Sequence, residues 1–221
     1  MQKIPCLFVR DFSGRESFTL TDQVTPGCEW VLLGEGKATR KWDGTACLIE
    51  EGKLYKRFDR KLLKDGSGHK SAPINWRACC DQDPTTGHWP GWVPVGSEPE
   101  SRWHREAWVA QDEHMLQPGT YELVGSRVQG NPDELREHTL IRHGSVLVID
   151  IGRTFQQVRA TLAAALIEGI VYHHQDGRMT KIRRDDFGLP WSQRKDARGR
   201  WVKLAGEAHH ADCPFLWDTG D

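Results

Sequence analysis

Long hydrophobic runs are missing from this sequence. No apolar stretch approaches the roughly 18 residues that a membrane-spanning helix needs, so no membrane partner is expected. The N-terminal stretch Met1–Phe12 lacks the basic, apolar and small-residue layout of a signal peptide, and cytoplasmic residence is the expectation. Charge of either sign is not in excess. Thirty Lys and Arg stand against 31 Asp and Glu for a net charge of −1, which excludes a bulk electrostatic nucleic-acid binder. Cysteines are few: Cys6, Cys28, Cys47, Cys79, Cys80 and Cys213 contain no CxxC pair and no zinc-ligand rhythm, and they are read as reduced thiols. Internal repeats and low-complexity blocks are absent. Gly125, Gly130 and Gly144 do not form a glycine-rich phosphate loop opening a helix, which argues against a P-loop or dinucleotide site.

What is present is enough for one core. With 221 residues and 38% hydrophobic content, the chain reads as a single domain over 1–221 carrying one insertion. Thr45–Ile49 and Leu54–Phe58 flank Glu51-Gly52, a hairpin signal. Residues 65–118 are rich in Trp, Gly and Pro and read as an irregular insertion. Its tryptophans are expected to anchor it rather than to stack on nucleobases. Tyr121–Val128 and His138–Asp150 predict further strands, and Thr154-Phe-Gln-Gln157 predicts a capping box opening a helix through Leu166. Asp176-Gly177 predicts a two-residue turn between Gly169–Tyr172 and Met179–Arg184. The fold class is therefore α+β, with mainly antiparallel sheets and flanking helices. That turn would set Tyr172 opposite Lys181 and Ile170 opposite Arg183, with Glu168 on the same face.

Two basic stretches stand out in the neutral chain and are compatible with a phosphate-lined groove. One holds Lys53, Lys56, Arg57, Arg60, Lys61 and Lys64; the other runs from Arg178 through Lys181, Arg183, Arg184, Arg194, Lys195, Arg198 and Arg200 to Lys203. Lys41-Trp42-Asp43-Gly44 precedes the first hairpin. A lysine attacks only as the neutral amine, so its pKa must fall through burial or neighbouring cations, for which Arg40, Lys181 and Arg183 are candidates. Attack on a nucleotide phosphate also needs a divalent metal, and Glu168 or Glu122 would hold it. Taken alone, a KxDG tetrapeptide is an ordinary turn before a strand. The pairs His173-His174 and His209-His210, and His104, are not read as metal ligands, because adjacent residues on a strand face opposite ways.

The combination resembles the covalent nucleotidyltransferase superfamily of ATP-dependent ligases and capping enzymes. Lys41-Trp42-Asp43-Gly44 is similar to its motif I, Arg57 stands where a motif Ia arginine would, Glu122 matches motif III, Glu168-Gly169-Ile170-Val171 motif IV, and Lys181-Ile182-Arg183 motif V with arginine for the second lysine. Glu122–Pro132, Gly87–Trp92 and Asp186–Trp191 further resemble the small 5′-3′ RNA-ligase family known from vertebrates, bacteria and viruses. The resemblance implies an adenylation domain without a C-terminal oligonucleotide-binding domain. It implies ATP with Mg²⁺ or Mn²⁺, a Lys41–AMP intermediate, and RNA with 5′-phosphate and 3′-hydroxyl ends. It further implies Lys181 and Arg183 on the triphosphate, Glu168 and Glu122 at the metal or ribose, Asp43 orienting Lys41 or a nearby arginine, Arg57 on phosphate or ribose, and Tyr172 with Ile170 against adenine. A minimal DNA ligase and a non-catalytic nucleotide-binding module are the alternatives.

Overall fold

The computed structural model describes residues 3–14, 17–63, 68–111, 116–148, 151–191, 193–195, 201–203 and 217–218. Its first strands are β1 (Phe8–Asp11), β2 (Thr19–Val24), β3 (Lys37–Lys41), β4 (Thr45–Glu50), β5 (Lys53–Arg60), β6 (Arg77–Ala78) and β7 (Trp89–Pro94). Helix α1 (Arg102–Ala110) follows, then β8 (Gly119–Val124), β9 (Thr139–Arg142), β10 (Leu147–Val148) and helix α2 (Phe155–Ala164). Strands β11 (Gly169–His173), β12 (Met179–Arg183), β13 (Gln193–Lys195), β14 (Trp201–Lys203) and β15 (Trp217–Asp218) complete the order. Antiparallel sheets with two α-helices among the described residues make an α+β fold. No helix among the described residues is long and apolar enough to cross a membrane. The chain divides into two compact units, Met1–Lys3 with Asp43–His143, and Ile4–Trp42 with Gly144–Asp221.

In the Asp43–His143 unit, six strands pair in the order β6-β7-β5-β4-β8-β9. Glu51 and Gly52 both take positive φ, 50° and 67°, the type I′ geometry whose twist suits a two-residue hairpin. Side chains alternate across the sheet. Cys47, Ile49, Leu54, Tyr121 and Leu123 face one buried core with Ala107 of α1. Ala46, Arg57 and Glu122 belong to the opposite face. The 65–118 segment is not irregular throughout, as its composition implied. It supplies β7, hydrogen-bonded along the whole of Tyr55–Arg60, and α1, which packs on the sheet. Its tryptophans hold it in place: the Trp76 and Trp89 indoles donate to the carbonyls of Phe58 and Cys80 at 3.0 and 3.1 Å, and their rings pack edge to face. Lys56, on the core face, leaves the expected basic groove to bind Glu98 and Ser101, each at 2.7 Å, below α1.

In the other unit, β12-β11-β3-β10-β15 form a five-stranded sheet. The N-terminal segment extends it: the Lys181 N–H donates to the Pro5 carbonyl at 2.9 Å and the Leu7 N–H to the Lys181 carbonyl at 2.8 Å. Helix α2 buries Val158 and Leu162 against Leu7, Phe8, Ile170, Tyr172 and Ile182. Thr154 forms the expected capping box with Gln157, although the helix ends at Ala164, two residues early. Arg184, counted with the basic stretch, is buried instead. It donates to the carbonyls of Leu162 and Ala165 at the C-terminal end of α2 and to Pro190 at 2.9 Å, a cation at the negative end of the helix.

The β11–β12 hairpin corrects the expected register by one residue. His173 pairs with Met179, and the Gly177 N–H closes a turn on the His174 carbonyl at 3.0 Å with Gly177 left-handed at φ 91°. This is a three-residue loop with a glycine bulge rather than a two-residue turn. Because side chains alternate, the slip exchanges faces. Ile170 and Tyr172 pair with Ile182 and Thr180 and are fully buried, so they do not line a site beside Lys181; the Tyr172 ring belongs to the core.

Candidate active site

The face opposite that core gathers the cations. Gly169 pairs with Lys41 on one side and Arg183 on the other, and Val171 pairs with Thr39 and Lys181. Lys41 from β3 and Lys181 and Arg183 from β12, the two strands that flank β11, therefore project to one side of the sheet. The Lys41 ammonium makes an ion pair with Glu168, the two side chains being 23% and 12% exposed. Burial pushes the pKa of Lys181 below its ordinary value, and the charges of Lys41 and Arg183 push the same way. Burial also disfavours the Arg183 charge, but Asp186 and Glu168 more than offset it and its pKa is raised. Arg40, a candidate neighbour of Lys41, lies on the opposite face of β3 and stacks over the Trp42 ring at 3.7 Å.

A buried carboxylate organises one end of this face. Asp186 accepts from the Arg183 backbone N–H at 2.8 Å, from the Arg183 guanidinium at 3.4 Å and from Arg10 at 2.6 Å. The sequence carried a signal for the first pair, an acid three residues after the arginine. Arg10, 176 residues away along the chain, carried none. His173, on the cation face, shares a hydrogen bond of 3.0 Å with Thr39.

Asp43, Arg57 and Glu122 belong to the other unit. Asp43 leads into β4. Arg57 pairs with Asp59, whose second oxygen lies 3.0 Å from His88 Nε2. Glu122, opposite Ala46 on the pleat, lies 2.8 Å from His143 Nε2. His88 and His143 are partners that sequence reading did not reach, being 29 and 21 residues from the acids they meet. Two motif glycines have a steric reason to be glycine. A Cβ on Gly44 would run into the Leu123 carbonyl and the Glu122 side chain, and one on Gly169 into the Ile182 carbonyl and Arg183. Among the described residues no group of three or more His, Cys, Asp or Glu could hold a metal ion by itself.

Comparison with known proteins adds an independent line. Residues 109–202 match the family described as RNA ligase 1, a range that contains Glu122, Glu168, Lys181 and Arg183. The chain is 28% identical over 265 residues to RNA ligase 1 of Danio rerio, covering 86% of this chain and 82% of that protein. To RNA ligase 1 of Mus musculus it is 26% identical over 270 residues, covering 86% and 81%. RNA ligase 1 of Pongo abelii is 24% identical over 269 residues, with 86% and 82% covered.

Proposed function

We propose that this chain, which belongs to an RNA ligase family and is a ligase enzyme, seals RNA 5′-phosphate ends to 3′-hydroxyl ends through a Lys41–AMP intermediate. The observation that carries the reading is the face of β3, β11 and β12, where Lys41 lies paired to Glu168 beside Lys181 and Arg183. Three cations on one pleated surface suit a triphosphate. Held there, Lys181 and Arg183 favour the charge that develops on phosphate oxygens during displacement, which is electrostatic stabilisation rather than proton chemistry.

In the first step the Lys41 ammonium leaves Glu168 and gives its proton to solvent water, and the neutral amine attacks the α-phosphorus of ATP. A P–N bond forms, the α-phosphorus–oxygen bond to the β-phosphate breaks, and pyrophosphate departs. AMP then passes to the RNA 5′-phosphate, regenerating the lysine, and the 3′-hydroxyl displaces AMP to form the phosphodiester. Lys181, depressed in pKa by burial and by the two cations beside it, is assigned with Arg183 to the phosphates. An ion of the magnesium type keeps waters and takes phosphate oxygens with one or two carboxylates, which is what Glu168 and Glu122 would offer. Magnesium or manganese would supply charge neutralisation on the phosphates; Glu168 is the carboxylate assigned to it. Glu122 is the other acid that the resemblance names for a metal or the ribose, Asp43 is assigned to orient Lys41, and Arg57 to phosphate or ribose.

Intact mass after incubation with ATP and Mg²⁺ tests the proposal. The wild type is expected to gain one AMP, about 329 Da, and Lys41→Ala to gain nothing while remaining folded. An unmodified wild type, with ATP left intact, overturns Lys41 as the nucleophile.

A further inference from the structure

We propose that a groove on the Asp43–His143 unit, walled by α1 and by the loop between β8 and β9, holds the sugar–phosphate backbone of the RNA strand. The inference rests on the RNA-ligase reading above. The groove encloses 890 Å³ and brings together Arg102 and Arg105 from α1 with Arg127 and Arg136 from the loop. Its lining sets these four arginines against two acids, Glu106 and Glu137, and Arg105 donates to the carbonyls of Gly96 and Glu98, so the positive charge that the groove offers a phosphate comes chiefly from Arg127 and Arg136. Arg127 and Arg136 are exposed and make no ion pair with a described residue. Glu106, an acid of the groove, is already engaged by Arg102 at 2.9 Å and His138 at 3.0 Å.

The aromatic in the groove is taken as well. Trp103 stacks on His138, with centroids 4.7 Å apart and planes 19° from parallel, and the Arg102 guanidinium lies 4.5 Å from its ring centre. An indole already stacked does not offer a platform for bases, so the groove is suited to the backbone and reads no sequence. The loop is preorganised. Gln129, Gly130 and Asn131 take φ values of 47°, 78° and 55°, and the Asn131 side chain both donates to the Leu135 carbonyl (3.0 Å) and accepts from its N–H (2.8 Å). The loop also reaches the first motif: Gln129 Nε2 donates to the Gly44 carbonyl at 3.4 Å. Ser126 follows Glu122 by four residues, roughly 13 Å of extended chain.

The test uses the full chain, ATP, Mg²⁺ and a fluorescent 5′-phosphorylated RNA, comparing wild type with Arg127→Gln/Arg136→Gln. Lysyl-AMP formation without RNA is expected to stay within about twofold. RNA affinity should fall roughly tenfold at low salt, the logarithmic salt slope should become less negative by about two, and KM for RNA should rise with kcat little changed. Arg127→Lys/Arg136→Lys should recover most of the affinity, since charge rather than fork geometry is used. A double variant with wild-type KM and salt slope overturns the groove and leaves the ligase reading standing. A parallel loss of lysyl-AMP formation, or displacement of RNA by an acidic peptide at lower concentration than by competitor RNA, overturns it too. A wild type that neither adenylylates nor seals sinks the ligase reading itself, a distinguishable result.

Discussion

A single methyl group is more than Gly169 can accommodate. Its added Cβ would overlap the Ile182 carbonyl oxygen and press on Arg183, so Gly169→Ala must push β11 and β12 apart where they set the cation face. The expected cost is about 1–3 kcal/mol of stability, together with a fall in lysyl-AMP yield per folded molecule. Gly177→Ala is the control. It meets open space but sits at φ 91°, and it should cost about 1 kcal/mol without changing yield. Melting temperature and intact mass on the same samples separate the two, and wild-type adenylylation by Gly169→Ala would sink the idea. Residue identity was where the sequence was most legible. Lys41, Glu168, Lys181 and Arg183 stood out by type and order, and they share one unit and one end of a sheet. Partners fixed by tertiary folding, such as Arg10 and His143, left no trace in local spacing.

Elements were legible where local rules decide them and obscured where packing does. The Thr154 capping box and the Glu51-Gly52 hairpin follow from side-chain and backbone preferences a few residues long. The Asp176-Gly177 loop looked equally local, yet His174 and Asp176 are bound to each other and to Arg178, and the added bulge moved Tyr172 into the core. Helix α1 was hidden by the proline and tryptophan around it; its nine residues rest on Ala107 and on Lys56 below, not on propensity. Helix α2 has two ends with different supports. Thr154 caps the start at an exposed position, and Arg184 caps the finish from a buried one. Losing an exposed cap costs about 1 kcal/mol. Stranding buried carbonyls that had accepted from a charged donor costs about 2–4 kcal/mol. Urea unfolding should rank Arg184→Met well below Thr154→Ala in stability, and equal midpoints would refute the capping role of Arg184.

At the scale of the whole chain, near-neutral charge leaves acid sensitivity to a few groups whose surroundings differ from water. His104 is the clearest. It is buried on α1, neither ring nitrogen has a hydrogen-bond partner among the described residues, and burial, with Lys56 and Arg105 against Glu98, lowers its pKa from 6.5 to about 4. A folded pKa below the unfolded one means that the unfolded chain binds the proton first. The stabilisation is then complete above pH 6.5 and is lost progressively as pH falls toward 4, in total about 3 kcal/mol. Glu98 acts lower on the scale. Hydrogen bonds from Lys56 and Ser101 hold it at about 2 against an ordinary 4.5, so its share is present above 4.5 and disappears on further acidification. The two windows barely overlap, which makes the first assignable. His104→Leu removes the proton site and a polar ring without partners, so it should be neutral or stabilising at pH 7 and should flatten the decline between about pH 6.5 and pH 4.5. Urea midpoints across that range, read by tryptophan fluorescence, check it. If wild type and His104→Leu decline in parallel, His104 is not what makes the folded chain acid-sensitive, and the loss must be sought in the carboxylates that titrate below it.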